Sequence, residues 1–103
     1  MYASVTQFEL SSRDITLDVA QSEFERFVVP EMRKQPGYEG CYLLRGASGK
    51  GLMVSLWETE EALRAGEIAG SYAERFAEFK AALGVHATTD SYAVGSGDHP
   101  LTG

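Results

Sequence analysis

Residues 36–63 read PGYEGCYLLRGASGKGLMVSLWETEEAL, and this stretch commits the chain to one fold class. Pro36-Gly37 marks a turn, because proline fixes φ and glycine accepts positive φ. Tyr38 to Arg45 is rich in aromatic and aliphatic residues and too short for a helix, so it is expected as a strand. Gly46-Ala47-Ser48-Gly49-Lys50-Gly51 then sets three glycines between two apolar runs, which signals a hairpin. Leu52 to Trp57 is the returning strand, polar only at Ser55. Thr59 suits a helix N-cap, and Glu60 and Glu61 in the next turn suit the positive end of the helix dipole.

Upstream, Tyr2 to Leu10 carries Val5, Thr6 and Phe8 with no helical stripe, and is expected as a strand. Ser11-Ser12-Arg13-Asp14 breaks that run. From Thr16 to about Gln35 the apolar residues Leu17, Ala20, Phe24, Phe27, Val28 and Met32 recur at spacings that make one helical stripe. Its start has two candidates, an Asp18–Gln21 capping pair or Thr16. Pro30 removes the hydrogen bond to Arg26, so the helix should kink or restart there. Downstream, Gly66 and Gly70 weaken the helix that opens at Glu60, each by about 1 kcal/mol relative to alanine. Ser71-Tyr72-Ala73-Glu74 matches a capping box, so a fresh helix is expected from Tyr72, striped by Tyr72, Phe76, Phe79 and Leu83 and ended by Gly84. Val85 to Val94 has strand composition. Residues 1–94 thus form a single domain, and residues 95–103 a loose tail.

The order is β-α-β-β-α-β, a ferredoxin-like α+β arrangement with a four-stranded antiparallel sheet and both helices on one face. The first and last strands are expected in the middle of the sheet. Along the third strand Leu52, Val54 and Leu56 point one way, and Met53, Ser55 and Trp57 the other. By the same alternation Tyr38 and Tyr42 oppose Cys41 and Leu43. Both faces therefore carry large apolar side chains, which a sheet with one wet face avoids. An apolar patch of that size calls for a cover. The expected cover is a second copy, giving a homodimer with two sheets back to back or rolled into one barrel.

Composition narrows the partners. The chain has 103 residues, 44% hydrophobic and 23% charged, as globular domains do. A formal charge of −6 with scattered basic residues argues against nucleic acid. Cys41 is the sole cysteine, so no internal disulfide can form and a reducing cytoplasm is expected. No basic segment with a following apolar run opens the chain, and no segment nears the length of a membrane helix.

Certain landmarks carry a family resemblance: Val29-Pro30, Pro36-Gly37-Tyr38-Glu39-Gly40, the strand end Leu56-Trp57-Glu58, and Glu61-Ala62. Over residues 2–94 the chain resembles the dimeric α/β-barrel superfamily and, more narrowly, antibiotic-biosynthesis-monooxygenase-like (ABM) domains. That resemblance implies the fold. Members include cofactor-independent oxygenases of polyketide tailoring, heme-degrading monooxygenases, quinol oxygenases and proteins without a known role. The heme enzymes share the strand-end tryptophan but use a strand-one Asn, a helical Trp and a helical His. Those positions fall here near Gln7, at Gly66 and at Phe76. Without the histidine there is no proximal iron ligand, so heme degradation is not expected.

Other chemistry is sparse. Two histidines, His86 and His99, are too few for a metal centre, and no phosphate-binding or serine-nucleophile motif is present. Cys41, mid-strand among apolar neighbours, reads as an inert thiol. There remains a pocket between the helices and the sheet, with Gln7, His86 and Tyr72 as polar lining and Trp57, Phe27 and Phe76 as walls. A cofactor-independent oxygenase holds an electron-rich phenol in a dry cavity, helps remove its proton, and lets the anion react with oxygen. His86, assisted by Gln7, is the candidate base, since imidazole titrates near neutrality. No metal or organic cofactor is implied. The plainer readings are a structural His86, a core or interface Trp57, and a core stripe at Tyr72 and Phe76. Two functions compete. One is a monooxygenase acting on a small aromatic or polyketide-like substrate; the other is a non-catalytic dimeric module that binds a small ligand or a partner protein.

Overall fold

The structure is a computed structural model that describes residues 1–10, 16–68, 74, 77, 78, 81 and 87–98. Four strands form, β1 (Tyr2–Glu9), β2 (Tyr38–Arg45), β3 (Lys50–Trp57) and β4 (Thr88–Ala93). They pair in the order β2-β3-β1-β4, every neighbour antiparallel. The architecture is the expected ferredoxin-like α+β sheet with helices on one side, but the central strands differ from expectation. β1 and β3 occupy the middle, and β4 lies at an edge. The tight turn at 46–49, closed by the Gly46 N–H on the Lys50 carbonyl at 2.8 Å, forces β3 to lie beside β2. β3 then fills the gap between β2 and β1, and the free edge of β1 is left for β4.

The first helical region is continuous but not uniform. Helix α1 (Leu17–Glu23) is followed by a π-helical turn (Phe24–Val28) and by α2 (Val29–Arg33). Thr16 is the N-cap, its Oγ1 accepting from the Val19 N–H at 3.2 Å, which resolves the two candidate starts. Pro30 falls in the first turn of α2, where a missing N–H costs nothing. The Val29 N–H reaches back to the Phe24 carbonyl, five residues away, so the wide turn absorbs the interruption. It also realigns the stripe. Residues spaced by four drift around an α-helix, whereas the π turn rotates them back, and Ala20, Phe24, Val28 and Met32 all end up buried.

Helix α3 (Glu60–Ile68) starts as expected, with Thr59 Oγ1 accepting from the Ala62 N–H at 3.0 Å. The turn before β2 is held against it. Gly37 has φ +81°, and a Cβ there would come 2.5 Å from the Ala62 Cβ. The Gly37 carbonyl accepts from the Glu58 N–H at 2.8 Å. Residues 74, 77, 78 and 81 are helical, while the capping box at Ser71–Tyr72 and the stop at Gly84 lie outside the described residues. In the tail, residues 95–98 are exposed and without helix or strand. None of the described helices is long and apolar enough to cross a membrane.

The main core joins Phe8 and Met53 of the sheet to Ala20, Phe24, Val28 and Met32, with Cys41, Leu43 and Tyr38 packed against it. α2 rests on β2, and α3 on β1 and β3. The burial alternation of β3 is as read from sequence: Met53, Ser55 and Trp57 are buried beneath the helices, and Leu52, Val54 and Leu56 are half-buried on the outer face. Tyr38 departs from the simple alternation. A register shift between Tyr38 and Gly40 pairs Tyr38 with Trp57, turning it to the helix side. Its hydroxyl there donates to the Cys41 Sγ at 3.0 Å, so Tyr38 shares a face with Cys41 rather than with Tyr42.

Candidate functional site

The two faces of the sheet offer different chemistry. On the helix face, Trp57 is 1% exposed and its indole N–H donates to the Ser55 Oγ at 3.0 Å. The Tyr38 ring stands edge-on to it, centroids 5.8 Å apart. α3 crosses above with Gly66 against the indole and Leu63 buried nearby. Beside Trp57 the central strands present hydroxyls instead of hydrocarbon. The register aligns Ser55, Ser4 and Ser91 in one row across β3, β1 and β4. One step along, the Thr6 and Thr89 Oγ1 atoms hydrogen-bond at 2.8 Å. Ser4, Thr6 and Ser55 are buried. A hollow of about 220 Å³ opens between α3 and the β1–β4 pair, reaching Tyr2, Leu63 and Ser91. Sequence reading passed over these hydroxyls, although Ser4 and Thr6 share parity with the core residue Phe8 and that signal was available.

On the outer face the register sets Thr88, Gln7, Leu52 and Leu44 in one row across all four strands. Over this row, at the hairpin end of the sheet, lies a cavity of about 490 Å³ that also takes in Glu9, Arg45 and Lys50. Further along the same face Tyr42, Leu44 and Tyr92 are each about half exposed, at 53%, 48% and 50%.

The candidate residues read from sequence are thereby separated. Gln7 and Trp57 stand on opposite faces, because seven and fifty-seven fall on opposite sides of the β1–β3 alternation, where Gln7 pairs with Leu52 and Trp57 with Tyr2. They do not line one cavity. Phe27 is not a buried wall either. It is 37% exposed, with the Arg26 guanidinium 5.1 Å from its ring centroid, because the π turn gives its place in the stripe to Val28. His86, Tyr72 and Phe76 lie outside the described residues. Among the described residues no three His, Cys, Asp or Glu side chains converge as a metal site.

No family model matches the sequence, and no curated protein is similar to it at the level of sequence. Solved structures are similar. A variant of SnoaB, a cofactor-independent oxygenase from Streptomyces nogalater, superposes with a TM-score of 0.76 at 16% identity, over 93% of this chain and 94% of that one. The fold is that of the antibiotic biosynthesis monooxygenases. A protein of Deinococcus radiodurans provisionally named as one of them gives 0.73 at 14% identity, over 96% of this chain and 97% of that one. Rv0793 from Mycobacterium tuberculosis gives 0.69 at 16% identity, over 96% and 97%. Identities this low establish a shared architecture.

Proposed function

We propose that this chain is a cofactor-independent monooxygenase of the ABM type, acting on a small aromatic or polyketide-like substrate as a cytoplasmic homodimer. The observation that carries this reading is the match to an oxygenase of that kind along nearly the full length of both chains. The chemistry asks little of the protein. A phenol with an activated CH₂, once deprotonated, is electron-rich enough to reduce oxygen. One oxygen atom enters the substrate as a carbonyl and the other leaves as water, so the substrate supplies all the electrons. His86 is the proposed base. The hollow on the helix side, lined by Ser91, Tyr2, Glu60 and Arg64 among others, offers polar partners for such a substrate. Gln7, on the outer face, belongs to the other cavity. The half-exposed Tyr42, Leu44 and Tyr92 support a second copy covering the outer face.

The test is oxygen uptake by the purified protein given 1,8-dihydroxyanthrone under ¹⁸O₂. The expected result is uptake above the protein-free rate, with one labelled oxygen in the resulting quinone. Uptake equal to the blank across a panel of anthrones and naphthols overturns the enzyme reading. The completeness of packing around Trp57 favours a second reading, a non-catalytic dimeric module that binds a small ligand. That module would bind members of the same panel without consuming oxygen.

A further inference from the structure

We propose that Glu67 makes the hollow between α3 and the β1–β4 pair selective for uncharged dihydroxylated aromatics and turns away those that carry a carboxylate. The selectivity concerns the substrate of the oxygenase reading above and rests on that reading. The hollow, of about 220 Å³, is lined on the α3 side by Glu60, Leu63, Arg64 and Glu67, and on the sheet side by Tyr2 and Ser91. Residues 60, 63, 64 and 67 recur at helical spacing, so they share one face of α3. Tyr2 pairs with Ala93, and Ser4 with Ser91, which sets the sheet side of the hollow on the β1–β4 ladder.

The lining is apolar inside and charged at the rim. Leu63 is buried, whereas Glu60, Arg64 and Glu67 are exposed. The Arg64 guanidinium donates to the Glu60 carboxylate one turn back. Glu67, one turn on from Arg64, has no hydrogen-bond or ion-pair partner among the described residues. One cation against two carboxylates leaves the rim one charge negative.

That imbalance separates two kinds of substrate. A ligand carboxylate entering beneath α3 meets the unmatched charge of Glu67, and it reaches Arg64 only by competing with Glu60. A ligand hydroxyl in the same place donates to Glu67, a charge-assisted hydrogen bond that a carboxylate cannot make. A dihydroxylated ring system serves the proposed chemistry as well: one hydroxyl is held at the rim by Glu67, and the other is left to lose its proton. Ser91 offers a polar contact on the sheet side, and Leu63 offers hydrocarbon to the rings. The volume falls below the roughly 300–1,000 Å³ of pockets that enclose drug-sized ligands, so two fused rings fill the hollow and a third extends past the rim. Glu61 provides the control. It is exposed on the same helix but does not line the hollow, so it shares only in the general repulsion of anions by a chain of charge −6.

The probes are 2,6-dihydroxynaphthalene and 6-hydroxy-2-naphthoate, which differ by one hydroxyl exchanged for a carboxylate. Each is titrated without oxygen into the ¹⁵N-labelled full-length chain. Expected are saturable amide shifts at Leu63, Arg64, Glu67 and Ser91, with the diol binding about tenfold more tightly than the acid in low salt. Glu67→Gln should reduce that ratio to about twofold, while Glu61→Gln leaves it unchanged. Equal or tighter binding of the acid would overturn the proposal. So would a ratio that survives Glu67→Gln or falls equally in Glu61→Gln, shifts confined to the outer face, or no saturable shift at millimolar ligand. The readout is binding without turnover. A lost ratio with oxygen uptake intact sinks the selectivity alone, and an intact ratio without uptake sinks the oxygenase reading alone.

Discussion

Gly66 of α3 lies directly against the indole of Trp57: a Cβ built on Gly66 would stand 2.5 Å from the ring's Cη2 and 2.9 Å from its Cζ3. The glycine that weakens this helix is therefore what lets the helix settle on the tryptophan. Gly66→Ala gains about 1 kcal/mol of helix propensity. Overpacking a closed site costs about 1–3 kcal/mol, so the net effect should be a loss of stability. Thermal unfolding checks this, and a raised midpoint would show that the ring has room to move.

Trp57 itself should be an anchor. Trp57→Ala removes a side chain that is 1% exposed and is expected to cost about 3–5 kcal/mol in urea unfolding. Ser55→Ala removes the hydroxyl to which the indole N–H donates, for a smaller loss of about 1 kcal/mol. A loss below about 1 kcal/mol for Trp57→Ala would place the indole outside the core.

Tyr42 and Val54 are cross-strand neighbours on the outer face. If a second copy covers that face, Tyr42→Glu combined with Val54→Glu sets carboxylates against the partner's apolar surface. Native mass spectrometry should then find a monomer, with an unchanged circular dichroism spectrum. A wild-type monomer would overturn the homodimer, and a variant that stays dimeric would move the interface elsewhere.

For the proposed base, His86→Ala should abolish turnover of an accepted anthrone while the oligomer persists. Unimpaired oxygen uptake would remove His86 from the mechanism.

Much of the fold was legible in local chemistry. The turn at Pro36-Gly37, the glycine-rich hairpin and the Thr59 cap each rest on φ preferences or on hydrogen bonds within a few residues, and each stands where the sequence puts it. The alternation of β3 was equally readable, because a strand exposes successive residues to opposite sides. Less local features were not. Thr16 and Asp18 both satisfy capping rules, and only the backbone geometry chose Thr16. The shift at Gly40 that turns Tyr38 onto Trp57, and the π turn that leaves Phe27 exposed, are answers to packing against a neighbouring element.

The candidate site shows the same division. Residue type nominated Gln7 and Trp57, and type carries no information on which strands adjoin. Strand order and register are set by long-range pairing, and they placed the two residues on opposite sides of one sheet. The chain's local chemistry specified its elements and the apolar character of both faces. Which side chains meet, and hence the serine row beneath α3 and the cavity at the hairpin end, followed from the sheet's assembly, because contacts between residues far apart in sequence form only when whole strands align.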